Sequence, residues 1–114
     1  MAILLIKVYG VVTLSYFDNS NDKYSNIIKL LCKYKGISDE DLIKIMKDED
    51  CRYLLFLLIR KYNCINMKRL SKDFKIESYN HLCDNLERAE EMLLLDRKIR
   101  DMFFEAGDII DNTK

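Results

Sequence analysis

The chain has no proline and only three glycines, Gly10, Gly36 and Gly107. Proline breaks a helix interior and glycine weakens one, so their scarcity leaves long helices unobstructed and marks no linker that would divide the chain. Net charge is absent too: nineteen basic and nineteen acidic side chains cancel. A domain that holds nucleic acid is ordinarily basic overall, so any such surface here must come from local segregation of charge. Histidine occurs once, at His81, and none of Cys32, Cys51, Cys64 and Cys83 lies at the spacing of a zinc knuckle. No metal or other cofactor is therefore expected, and the cysteines read as small core residues of a reduced, cytoplasmic protein. The apolar N-terminus lacks a basic leader and is interrupted by Lys7, which argues against a secretory signal. Uncharged apolar runs such as residues 53–59 fall far short of the roughly 20 residues that span a bilayer, so no membrane role is expected. There is no glycine-rich phosphate loop, no nucleophile elbow and no paired carboxylate motif. His81 and Cys83, two apart on a helix, would point in different directions, so no catalytic residue is expected.

What is present describes one globular domain over residues 1–114, with 49% hydrophobic and 33% charged residues. Residues 1–17 are apolar and open to two readings, strand by propensity or a buried helix. Asp18, Asn19, Ser20, Asn21 and Asp22 form a turn-rich loop. After it the apolar spacing becomes helical and predicts an all-α bundle of about five helices over residues 18–105, with a tail at 106–114. The first is capped by Asn21 or Asp22 and stopped by Gly36. The second starts from Ser38, with Asp39, Glu40 and Asp41 in its first turn. The third, residues 50–62, is apolar nearly all round at 53–59 and should be the most buried. A short fourth helix, residues 67–74, is capped by Asn66. A long fifth runs over residues 79–105 from Glu77 or Ser78, with Leu82, Leu86, Ala89, Leu93, Leu95, Ile99, Met102 and Phe103 inward and Gly107 as its stop. Tyr53, Tyr62, Tyr79, Phe103 and Phe104 follow the helix stripes and read as core.

The informative stretch is residues 66–89. A short helix anchored by Leu70 and Phe74, a tight corner plugged by Ile76, and a second helix held by Leu82 and Leu86 make a helix-turn-helix pattern. In that geometry the first turn of the second helix faces outward, where a DNA major groove accepts it. Ser78, Tyr79, Asn80 and His81 stand there, and such side chains bond base edges or phosphates.

Over residues 37–104 the chain resembles the Trp-repressor-like helix-turn-helix domains, in particular the C-terminal DNA-binding domain of the bacterial replication initiator DnaA. Cys51-Arg52-Tyr53-Leu54 and the apolar run after it look like that family's buried helix, residues 66–74 like its first motif helix, and residues 77–89 like its recognition helix. The resemblance implies sequence-specific binding of double-stranded DNA, regulatory or replication-related, without a cofactor. The chain departs from the family at Ser78-Tyr79-Asn80-His81-Leu82, which replaces an Asp-His-Thr-Thr-Val signature. Acidic Asp48, Glu49 and Asp50 stand where the family has a basic loop, and Lys75 takes the place of the corner glycine.

Charge is segregated around this motif. From residue 60 to 75 there are six bases (Arg60, Lys61, Lys68, Arg69, Lys72, Lys75) against one acid, Asp73. These bases are the expected phosphate contacts. The competing reading is a solvated helix face on a protein-interaction module that keeps the fold without binding DNA. The apolar residues 1–17 favour that alternative, since a homodimer or protein contact is one way to cover them.

Overall fold

A computed structural model describes residues 22–112. The protein is an all-α bundle of six described helices: α1 Lys23–Lys35, α2 Ile43–Lys47, α3 Glu49–Lys61, α4 Met67–Phe74, α5 Tyr79–Leu95 and α6 Arg97–Asp111. The two readings of residues 1–17, and any contact made through them, lie outside the described residues.

Helix α3 is the centre, and α1, α2, α5 and α6 all pack on it. An apolar surface on every side of a helix can be satisfied only by neighbours on every side. Leu54, Leu55, Phe56, Leu58 and Ile59 are accordingly fully enclosed. The caps expected from the sequence form. The Asp22 carboxylate accepts from the Tyr24 and Ser25 amides, Asn66 from Arg69, and Ser78 from His81, while Gly36 closes α1 at φ 72°.

Four expectations are corrected. The long helix over residues 79–105 is two helices broken at Asp96, whose backbone is extended (φ −117°, ψ 111°). Its carboxylate accepts from the Lys98 and Ile99 amides at 2.9 and 3.4 Å, so an aspartate inside the apolar pattern acts as a new N-cap. The break leaves Leu95 on the outside, 72% exposed, rather than on the inner stripe. Gly107 does not end the last helix, which continues to Asp111. It lies where α6 crosses the end of α3: the Tyr62 hydroxyl donates to its carbonyl at 3.2 Å, and the Lys61 ammonium lies 2.8 Å from where a Cβ would stand. A Cβ there would displace only the far end of the flexible Lys61 side chain and meet the Tyr62 hydroxyl at an ordinary 3.8 Å, so α6 runs through this glycine without needing it for close approach. Ser38 does not start α2, which begins at Ile43 without a side-chain cap; its hydroxyl instead accepts from the Glu40 amide in a preceding turn. Among the aromatic residues expected inside, Tyr53 is buried and Tyr62 and Phe103 are half-buried, but Tyr79 and Phe104 stand exposed.

The corner between α4 and α5 depends on one strained residue. Lys75 holds φ 62°, ψ 30°, and its amide closes α4 on the Leu70 and Ser71 carbonyls. Side chains other than glycine meet a steric cost of about 1–2 kcal/mol there. Lys75→Gly is expected to stabilise the protein by about 1 kcal/mol, read as a rise of a few degrees in the unfolding midpoint.

Candidate nucleic-acid interface

Leu70, Phe74, Ile76, Leu82 and Leu86 are all buried in one core, so the two arms of the corner are fixed on the same apolar base. Around that base the expected contact residues divide into two groups. One group is engaged by other residues of the protein. Arg69 donates to the Asp22 carboxylate at 2.7 Å and to the Ser25 hydroxyl at 3.2 Å, and its guanidinium lies over the Tyr24 ring, 3.9 Å from the centroid. One helical turn on, Asp73 accepts from the Tyr24 hydroxyl at 2.9 Å. Arg60 is held by Glu90 at 2.9 Å, and Lys61 lies over the rings of Tyr62 and Phe103.

The other group faces solvent. Lys68, Lys72 and Lys75 are exposed and make no ion pair with a described residue. Ser78, Tyr79, Asn80 and His81 are exposed at the first turn of α5, with Tyr79 71% accessible. That turn contains no acid. Its free amides and the positive end of the helix dipole favour an anion there. The six bases expected as phosphate contacts thus reduce to three exposed lysines without an ion pair to a described residue, two on α4 and one at the corner that follows it.

The Tyr24–Arg69–Asp73–Asp22 cluster had no signal in the sequence, because its two halves, on α1 and α4, are separated by more than forty residues and follow no motif. It ties α1 to α4. Burial pushes the Asp22 carboxyl upward, but Arg69 and Ser25 outweigh that and hold it below the usual carboxylate value. Its folded pKa is below its unfolded one, so its charge stabilises the fold above the unfolded carboxylate range of about 4. That stabilisation is lost as pH falls through the folded value. Asp22→Asn keeps a helix-capping side chain while removing the charge. The variant is expected to unfold at a lower temperature than the wild type at pH 7, with the gap closing towards pH 3. A gap of equal size at both pH values would contradict the ion-pair account.

Beside this cluster runs a groove of about 620 Å³ between α1, the turn before α2, and α4, with apolar walls at Ile28, Ile37 and Leu42. Its buried polar groups are those already paired in the cluster. The cysteines stand unbridged. Burial pushes the Cys51 and Cys64 thiols up to about 11, which leaves both protonated and unreactive near neutrality. Among the described residues no group of three or more His, Cys, Asp or Glu side chains is placed to hold a metal ion, and no helix is long and apolar enough to cross a membrane.

No protein-family model matches the chain, and searches of curated proteins and of solved structures find no match.

Proposed function

We propose that the α4–α5 corner binds double-stranded DNA, with the first turn of α5 in the major groove and Lys68, Lys72 and Lys75 against the phosphate backbone. The observation that carries this reading is the state of those lysines. Other cations of the same stretch are spent on Asp22, Glu90 and aromatic rings, while these three stand exposed on α4 and at the corner leading into α5, with no ion pair to a described residue. Phosphates need such cations, and base edges need the exposed polar side chains of Tyr79, Asn80 and His81.

One objection from the sequence loses weight on this reading. The acidic residues ahead of α3 work inside the protein: Asp48 caps α3 and meets Lys35 at 2.9 Å, and Asp50 meets Lys98 at 2.7 Å. The resemblance to Trp-repressor-like domains, including that of DnaA, supports a sequence-specific regulatory or replication-related role. The half-buried acids and bases beside α4, Asp22, Arg69 and Asp73, are already paired with one another or with Tyr24 and Ser25, which favours a binding module over an enzyme.

The test is a fluorescence-anisotropy titration with random duplexes and with duplexes enriched by selection, at two salt concentrations. Binding that weakens with salt is expected. Asn80→Ala should cost about 1–3 kcal/mol at the selected site and spare non-specific affinity, as for the loss of a bidentate base contact. No detectable binding at low salt would overturn the proposal. An interaction module would then be the better reading, favoured by the exposure of Phe104, Leu94 and Leu95.

A further inference from the structure

Helix α6 carries its charges against its own dipole. Arg97, Lys98 and Arg100 stand at its start, and Glu105, Asp108 and Asp111 fill its second half. Its first turn has no acid and its last turn no base. The partial charges of a helix favour the reverse order. Four of these residues find compensation within the protein. Lys98 meets Asp50, Arg100 donates to the Leu93 and Leu94 carbonyls, Glu105 accepts from Tyr34, and Asp111 accepts from Tyr62.

Arg97 and Asp108 are left over. Among the described residues the one ion pair of Arg97 is a 3.9 Å contact with Asp101 on its own helix, and the Asp108 carboxylate makes no hydrogen bond or ion pair. Arg97, Asp101, Phe104 and Asp108 are spaced four, three and four apart, which sets them on one stripe of the helix, and all four are exposed. The opposite stripe, Ile99, Ala106 and Ile110, is buried. Phe104 is 61% exposed in the middle of the outer stripe, and Leu94, 77% exposed, stands at the elbow just before it.

We propose that this outer stripe pairs with the same stripe of a second copy of the chain, antiparallel about a two-fold axis. In that register Arg97 of each copy faces Asp108 of the other, and both Phe104 rings lie within a turn of the axis. A parallel pairing would set Arg97 on Arg97 and Asp108 on Asp108. The apolar residues 1–17 are a poorer occupant, because their only charged side chain is Lys7 and the stripe presents both signs. One helix pair buries less than a standard interface of about 1,600 Å², so the dimer is weak, with a dissociation constant in the micromolar range or above. The inference is independent of the DNA reading.

The test is sedimentation equilibrium of the full chain over a wide concentration range, with circular dichroism as a check on folding. The wild type should pass from monomer to dimer as concentration rises, and less readily at high salt. Phe104→Asp, at an exposed site, should stay folded and monomeric. Arg97→Asp and Asp108→Arg should each weaken the dimer about tenfold, and the two changes together should restore it, because each new acid then meets a new base across the axis. A wild type that is monomeric throughout would overturn the proposal. So would a dimer that survives Phe104→Asp, or a double variant no better than the single ones.

Discussion

A protein carrying Lys68→Ala, Lys72→Ala and Lys75→Gly together is expected to lose duplex binding while keeping its stability. Each phosphate contact contributes about −0.9 to the slope of log affinity against log salt, so the slope should flatten by roughly 2–3 units, with affinity at low salt falling on the order of 100- to 1,000-fold. Stability should hold or rise, because the two alanines replace exposed residues and the glycine relieves the left-handed corner. Arg69→Ala should do the opposite. It removes the partner of Asp22 and the cover of the Tyr24 ring, so it should lower the unfolding midpoint and leave the salt slope unchanged. Anisotropy titrations at several salt concentrations, paired with thermal melts, read both effects. A salt slope that falls with Arg69 and not with the lysines would reverse the assignment of which cations face DNA.

The other large effect concerns the core. Phe56→Ala should cost about 3–5 kcal/mol, because a fully enclosed aromatic ring on α3 is replaced by a methyl group and its neighbours from several helices can close the gap only in part. Against a total stability of about 5–15 kcal/mol for a domain, this is a large share. Urea unfolding followed by circular dichroism should show the midpoint falling with little change in slope. A loss under about 1 kcal/mol would mean that α3 is not the packing centre.

The sequence made α3 legible because a run with no polar face leaves a helix only one place to go. It made α4 legible because Asn66, Leu70 and Phe74 stand at cap and core spacings that few other structures satisfy. The elbow at Asp96 was harder to read. Apolar residues run on across it, from Leu93, Leu94 and Leu95 to Ile99, which hides the change of face between the two helices, and one aspartate in a helical pattern ordinarily faces solvent. Gly107 misled for a related reason. A glycine near the end of a pattern signals a stop, yet α6 runs through it to Asp111, with the Tyr62 hydroxyl donating to its carbonyl. The polar turn of the candidate site was legible, since Ser78 caps α5 and the residues after it stand exposed. Which bases were free was not legible. Arg69 and Lys72 are three apart on one short helix, and the tertiary position of Asp22 and Tyr24 decides which of them is spent.

The elbow at Asp96 also has a mechanical consequence. Helices α5 and α6 are joined by that single residue, and its surroundings are fastened on both sides. The Asp96 amide closes α5 on Met92, its carboxylate opens α6, and the Arg100 guanidinium reaches back to the carbonyls of Leu93 and Leu94. Bending there would break several of these bonds at once, so the joint behaves as a weld and not as a hinge. With 17 residues, α5 is a rod about 25 Å long, with the outward turn at one end and the weld at the other. A torque applied to Tyr79 and Asn80 is therefore carried along that rod into α6, and the two ends of the bundle turn as a single rigid lever.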